Sequence, residues 1–145
     1  MITTRIGDIL LVEDNPCDVA LIRLALQESG SECGLYDVPD GRAAAEFLRE
    51  RMGSHAPFAL PSLIITDIRM PGHSGHDFLA WKQTQLELAK IPVVVLSGSA
   101  SDADLQRSYA LGARSCLLKP STFPEFTHLV RTLLTFWVGF NHEGF

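Results

Sequence analysis

Apolar residues in this chain fall into two alternating patterns. Short unbroken runs, Ile9-Leu10-Leu11-Val12, Leu63-Ile64-Ile65-Thr66, Val93-Val94-Val95-Leu96 and Cys116-Leu117-Leu118, each end on a polar residue. Continuous apolar runs of this length predict strands buried on both faces. Cys33 to Val38 is a weaker candidate strand. Between these runs the apolar positions recur at helical spacing. Val19, Ile22 and Leu26 predict a helix that starts at Asn15-Pro16 and runs to Ser29. Ala44, Phe47 and Leu48 follow Asp40-Gly41; Phe78, Leu79, Trp81 and Leu86 follow the capping-box spacing of Ser74 and Asp77. Ser101 and Asp104 repeat that spacing before a short helix stopped at Gly112. Thr122 and Glu125 repeat it again before the stripe Phe126, Leu129, Val130, Leu133, Leu134 and Trp137.

Strands and helices in strict alternation predict an α/β fold, a doubly wound five-stranded parallel sheet covered on both faces. With 145 residues, the chain has the length of one domain. Its formal charge of −5 gives no bulk attraction for a polyanion, so the expectation is no nucleic-acid partner. The three cysteines, Cys17, Cys33 and Cys116, lack the spacing of a zinc site or disulfide framework. No apolar stretch approaches the ~18 residues of a spanning helix, and the start of the chain lacks a signal-peptide core, so a cytoplasmic protein without membrane contact is expected.

The polar residues that close the apolar runs are chemically complementary. Glu13 and Asp14 end the first run, Asp67 ends the one that stops at Pro71-Gly72, Ser97 ends the fourth strand, and Lys119-Pro120 ends the fifth. A lone acid at a strand end is usually a turn former or helix cap. Here the ends of parallel strands would share one rim, where crowded carboxylates call for a cation. An oxygen-only donor set suits Mg²⁺ better than zinc. A phosphoryl group would complete the charge balance, with Lys119 and Ser97 as donors and a carboxylate as nucleophile.

These residues, in this order at these strand ends, resemble the receiver domains of two-component response regulators, with their flavodoxin-like or CheY-like (βα)5 fold. The resemblance spans residues 6–138 and leaves 139–145 as a short C-terminal tail with no output domain. It implies that Asp67 is the phosphoacceptor, that Glu13, Asp14, Asp67 and the Arg69 backbone carbonyl hold Mg²⁺, and that Lys119 and Ser97 bind phosphoryl oxygens. It also implies a cis Lys119-Pro120 bond and a role as signalling phosphoacceptor rather than enzyme. Where the family usually carries Tyr or Phe as a switch partner of Ser97, this chain has Cys116.

Leu11-Val12-Glu13-Asp14-Asn15-Pro16, Ser108 to Ala113 and Phe136-Trp137 are similar to the single-domain regulators that partner phytochrome histidine kinases. A histidine kinase of the bacteriophytochrome class is thus the implied donor, and no downstream target is legible. Two other functions compete. A passive phosphate sink would share the same chemistry. A haloacid-dehalogenase-type phosphohydrolase needs a second acid two residues beyond the nucleophile, where this chain has Arg69. His73 and His76 read as polar surface. Phe136, Trp137 and Phe140, three aromatics close together near the end of the chain, predict a homodimer through the C-terminal helix region.

Overall fold

Each α-helix starts at a side chain that accepts from its own first turn. Asn15 accepts from the backbone N–H groups of Cys17 and Asp18, Asp40 from Ala43, Ser74 from Asp77, Ser101 from Asp104 and Thr122 from Glu125. These bonds satisfy orphan donors that would otherwise fray the ends. The computed structural model describes residues 7–139 except 31, 54, 57 and 73, with side chains described as far as residue 136. In chain order the elements are β1 (Ile9–Val12), α1 (Pro16–Glu28), β2 (Leu35–Val38), α2 (Gly41–Arg49), β3 (Leu63–Thr66), α3 (Gly75–Gln83), β4 (Val93–Ser97), α4 (Asp102–Ala110), β5 (Ser115–Leu118) and α5 (Phe123–Leu133). A 3₁₀ turn, Leu86–Leu88, precedes β4, and a π-helical turn, Leu134–Gly139, follows α5.

The strands form one parallel sheet in the order β2-β1-β3-β4-β5. Alternation along each strand divides the interior in two. Leu10, Val12, Ile64, Val93 and Val95 face Ala44 and Leu48 of α2 and Phe78 and Leu79 of α3. Ile9, Leu11, Leu63, Ile65, Val94 and Leu96 face Ile22, Ala25 and Leu26 of α1 and Phe126, Val130 and Leu133 of α5. The doubly wound expectation holds. No helix among the described residues is long and apolar enough to cross a membrane.

Two elements depart from the sequence reading. The helix expected to include Leu86 stops at Gln83, because Thr84 turns back onto the Trp81 carbonyl with both its N–H, at 3.0 Å, and its Oγ1, at 2.6 Å. Leu86 then projects into solvent, and Leu88 takes the buried position. At the other end, α5 widens into a π-helical turn from Leu134, so spacing extrapolated at 3.6 residues per turn no longer gives the inward face. Phe136 is 60% exposed there, while the side chain of Trp137 and the whole of Phe140 lie outside the described residues.

Candidate functional site at the carboxyl ends of the strands

Strand order reverses between β1 and β3, and the crevice at such a reversal, beyond the carboxyl ends of the strands, is where open α/β sheets bind ligands. The sheet ladder continues one residue past three of the strands. Glu13 N–H donates to the Val38 carbonyl at 2.9 Å, Asp67 N–H to Val12 at 3.1 Å and Lys119 N–H to Ser97 at 2.8 Å. Main-chain bonds thus fix the three residues whose side chains meet above the rim.

Lys119 is the centre of that meeting. Its Nζ lies 2.6 Å from Glu13 Oε1, 2.7 Å from Asp18 Oδ2 and 2.9 Å from Asp67 Oδ2. Burial would pull the ammonium down, but its bonds to Asp18, Glu13 and Asp67 outweigh it and hold the pKa above the ordinary lysine value. Burial pushes the Glu13 carboxyl up against the opposing pull of Lys119. The remaining oxygens are also placed: Glu13 Oε2 accepts from Asn15 N–H at 3.1 Å, and Asp67 Oδ1 from Ile68 N–H at 2.6 Å and Arg69 N–H at 3.4 Å.

Glu13, Asp14 and Asp67 each offer an oxygen within 4.8 Å of the others. Glu13 is buried, Asp67 is 9% exposed, and Asp14 is open to solvent. Such an all-oxygen set, open on one side, fits a hard divalent cation that retains waters and fits zinc poorly. Gly75 backs the site: a Cβ there would overlap the Asp67 carbonyl oxygen, so only glycine lets α3 begin this close to the acid.

Of the residues singled out from sequence, the fold brings Glu13, Asp14, Asp67 and Lys119 together. Ser97 ends the neighbouring strand, buried, with its hydroxyl donating to the Ser99 carbonyl at 3.1 Å. The Lys119-Pro120 bond is trans, contrary to the cis bond that the resemblance implied; no cis bond occurs among the described residues. X–Pro linkages slightly favour trans, and with that isomer the ammonium already reaches all three carboxylates, so the ion cluster does not require cis. The Arg69 side chain pairs with Asp104 Oδ2 of α4 at 2.6 Å.

His76 is not polar surface. It is 5% exposed, with Nε2 2.8 Å from Ser108 Oγ; His73 lies outside the described residues. Sequence reading missed two contributors. Asp18 lies in the first turn of α1, and the place of that turn directly after the Glu13-Asp14 pair was the available signal. Tyr109 entered the sequence reading only as part of the Ser108 to Ala113 stretch, yet its hydroxyl accepts the Cys116 backbone N–H at 3.1 Å.

Comparison with known proteins agrees with this architecture. Residues 9–131 match the response regulator receiver domain. The chain is 37% identical over 135 residues to the probable methanogenesis regulatory protein FilR2 of Methanothrix harundinacea, covering 93% of this chain and 86% of the relative. It is 33% identical over 130 residues to the response regulator Rcp1 of Synechocystis sp., covering 90% and 88%. The crystal structure of Rcp1 in its Mn²⁺-bound form is similar at a TM-score of 0.78 and 32% identity, over 91% of this chain and 94% of that one. The phosphorylated cyanobacterial phytochrome response regulator RcpA is similar at a TM-score of 0.82 and 34% identity, over 92% and 94%. The chain belongs to the response regulator receiver domain family.

Proposed function

We propose that this receiver takes a phosphoryl group onto Asp67 from the phosphohistidine of a histidine kinase and thereby switches its protein contacts. The observation that carries the reading is the contact of Lys119 Nζ with Asp67 Oδ2 at 2.9 Å beside the Glu13, Asp14 and Asp67 oxygens. The Asp67 carboxylate attacks phosphorus, the P–N bond breaks with its electron pair returning to the donor imidazole, and an acyl phosphate forms. Lys119 neutralises charge on the transferring oxygens, and Ser97 would turn from the Ser99 carbonyl to donate to one of them. Glu13, Asp14, Asp67 and the Arg69 carbonyl would hold Mg²⁺, which supplies further positive charge to the phosphoryl oxygens. Because Lys119 and Asn15 already engage both Glu13 oxygens, Glu13 suits contact through water or exchange of its Lys119 bond. The chain thus acts as a signalling phosphoacceptor rather than an enzyme on an external substrate.

Similarity to Rcp1 and RcpA supports a kinase of the bacteriophytochrome class as donor, in a cytoplasmic light-signalling pathway. The exposed Phe136 supports a homodimer through the C-terminal helix region, where the sequence also carries Trp137 and Phe140. The deciding experiment is acetyl-phosphate labelling of wild type and Asp67→Asn, with Mg²⁺ and with EDTA. Labelling of wild type alone, and only with Mg²⁺, is expected. Undiminished labelling of the Asn variant, or labelling insensitive to chelation, would overturn the assignment. Transfer from a phytochrome kinase under opposed red and far-red illumination tests the pathway.

A further inference from the structure

An ammonium has three N–H donors, and in this chain Lys119 directs them at three carboxylates of unlike standing: Glu13, Asp18 and Asp67. Glu13 and Asp67 belong, with Asp14, to the cluster whose oxygens lie within 4.8 Å of one another; Asp18 does not. Glu13 and Asp67 also share their oxygens with backbone donors from Asn15, Ile68 and Arg69. The carboxylate of Asp18 has no partner other than Lys119 among the described residues. Its place comes from α1: Pro16 occupies the first helical turn, and Asn15 Oδ1 accepts from Cys17 N–H at 2.9 Å and Asp18 N–H at 3.4 Å. That rigid turn delivers an anion to a lysine 101 residues away.

We infer that Asp18 is the positioning residue for Lys119, keeping one N–H bonded on the α1 side while a cation and phosphoryl oxygens draw on Glu13 and Asp67. The inference rests on the phosphoacceptor reading above. A cation among Glu13, Asp14 and Asp67 competes with the ammonium for the same oxygens, and acylation of Asp67 removes another acceptor. Without Asp18, Lys119 would lose its remaining fixed partner at the moment its direction matters, and its flexible four-carbon stem would carry the charge elsewhere. With Asp18, the ammonium stays within reach of the acceptor and leaves the cation's oxygens free. Misplacement of a charge-stabilising group by a fraction of its bond length is enough to slow transfer substantially.

The test compares wild type, Asp18→Asn, Asp18→Glu, Lys119→Met and the Asp18→Asn/Lys119→Met double variant, all with unchanged helical circular dichroism. Acetyl-phosphate labelling of Asp18→Asn is expected to slow about 10-fold, as for loss of an orienting partner at a metal site, with partial recovery in Asp18→Glu. Titration with Mg²⁺ alone is expected to give a weaker Kd for Asp18→Asn, because the ammonium then stays on the cation's oxygens. In the Lys119→Met background, Asp18→Asn is expected to change labelling less than about 2-fold, since its effect runs through the missing lysine. A single variant labelled at the wild-type rate, or an equal loss in both backgrounds, would overturn the proposal. A readout independent of phosphorylation is the ¹H–¹⁵N signal of the Lys119 ammonium, slow to exchange when fully bonded. It is expected to broaden in Asp18→Asn, and an unchanged signal would also overturn the proposal. If wild type takes no label at all, the phosphoacceptor reading fails, and the ammonium signal still decides the placement.

Discussion

Cys116 stands where receivers usually carry a switch aromatic, and the ring in this neighbourhood comes instead from Tyr109 on α4. Its hydroxyl accepts the Cys116 backbone N–H, a donor on the edge strand β5. Burial raises the Cys116 thiol pKa, which disfavours the nucleophilic thiolate. Beside it, Ser108 Oγ donates its single hydrogen to the Asp104 carbonyl at 2.9 Å, so it accepts from His76 Nε2, which fixes the imidazole tautomer with hydrogen on Nε2. If Ser97 turns toward a phosphoryl group as proposed, its movement is therefore expected to reach the surface through backbone shifts of β4 and β5. Cys116→Ala should leave phosphorylation-dependent partner binding intact; loss of that coupling, read by a pull-down with and without acetyl phosphate, would assign the thiol a specific role. Tyr109→Phe removes the acceptor of a strand N–H and should cost about 0.5–1.5 kcal/mol, seen as faster hydrogen exchange at the Cys116 amide. The acids, lysine and serine were legible because a strand end fixes where a side chain emerges. The partners of Asp18, Arg69, His76 and Tyr109 were not, because each is set by a tertiary approach that leaves no local pattern.

Elements carry their own instructions to a large extent. Ser74 with Asp77 and Ser101 with Asp104 are complete capping boxes in the fold as in the sequence, and Gly112 takes the positive φ expected of a helix stop. What the pattern did not reveal is why Ser74 is followed by glycine. Gly75 N–H donates to the Ile68 carbonyl at 2.9 Å, and its missing side chain lets α3 approach the Asp67 backbone. Backbone on both sides of the contact leaves little room to relax. Gly75→Ala should therefore destabilise the fold by roughly 1–3 kcal/mol, the cost of forced overpacking, and slow labelling of Asp67 by displacing it. Urea midpoints together with acetyl-phosphate labelling check both. Equal stability with normal labelling would mean that α3 shifts freely. The end of α3 and the π-helical turn after α5 escaped sequence reading for a related reason. In both places a local backbone choice, the Thr84 bonds to Trp81 and the widened turn at Leu134, overrides the 3.6-residue period.

For the molecule as a whole, two lysines, the half-buried Lys119 and the buried Lys82, set opposite electrostatic contributions. Lys119 is surrounded by carboxylates and has a raised pKa, so its stabilisation is present below the ordinary lysine value and is lost only as pH rises through the higher folded value. Lys82, on α3 and 8% exposed, has no carboxylate partner among the described residues. Burial, with a smaller push from Arg114, brings it down from 10.5 to about 8. The folded chain therefore binds fewer protons than the unfolded one between about pH 8 and 10.5, and this contribution to stability rises with pH across that window. Below about pH 8 the full penalty of holding an unpaired ammonium inside applies, on the order of 3 kcal/mol for a shift of this size. Lys82→Met keeps the stem length and removes the charge, so it is expected to stabilise the fold at pH 7 by roughly 1–3 kcal/mol. Cys33, whose thiol burial pushes up to about 12, acts in the opposite sense above its ordinary value, so the wild-type curve alone would mix the two effects. The difference between wild type and Lys82→Met isolates the lysine. That gap should narrow by about 1 kcal/mol between pH 8 and pH 9, as Lys82 in the folded chain passes from about half to mostly deprotonated while the unfolded lysine stays charged. Urea unfolding of both proteins from pH 7 to pH 9.5 measures it. A gap that stays constant across the range would show that Lys82 keeps its proton in the folded chain and that its ammonium reaches water.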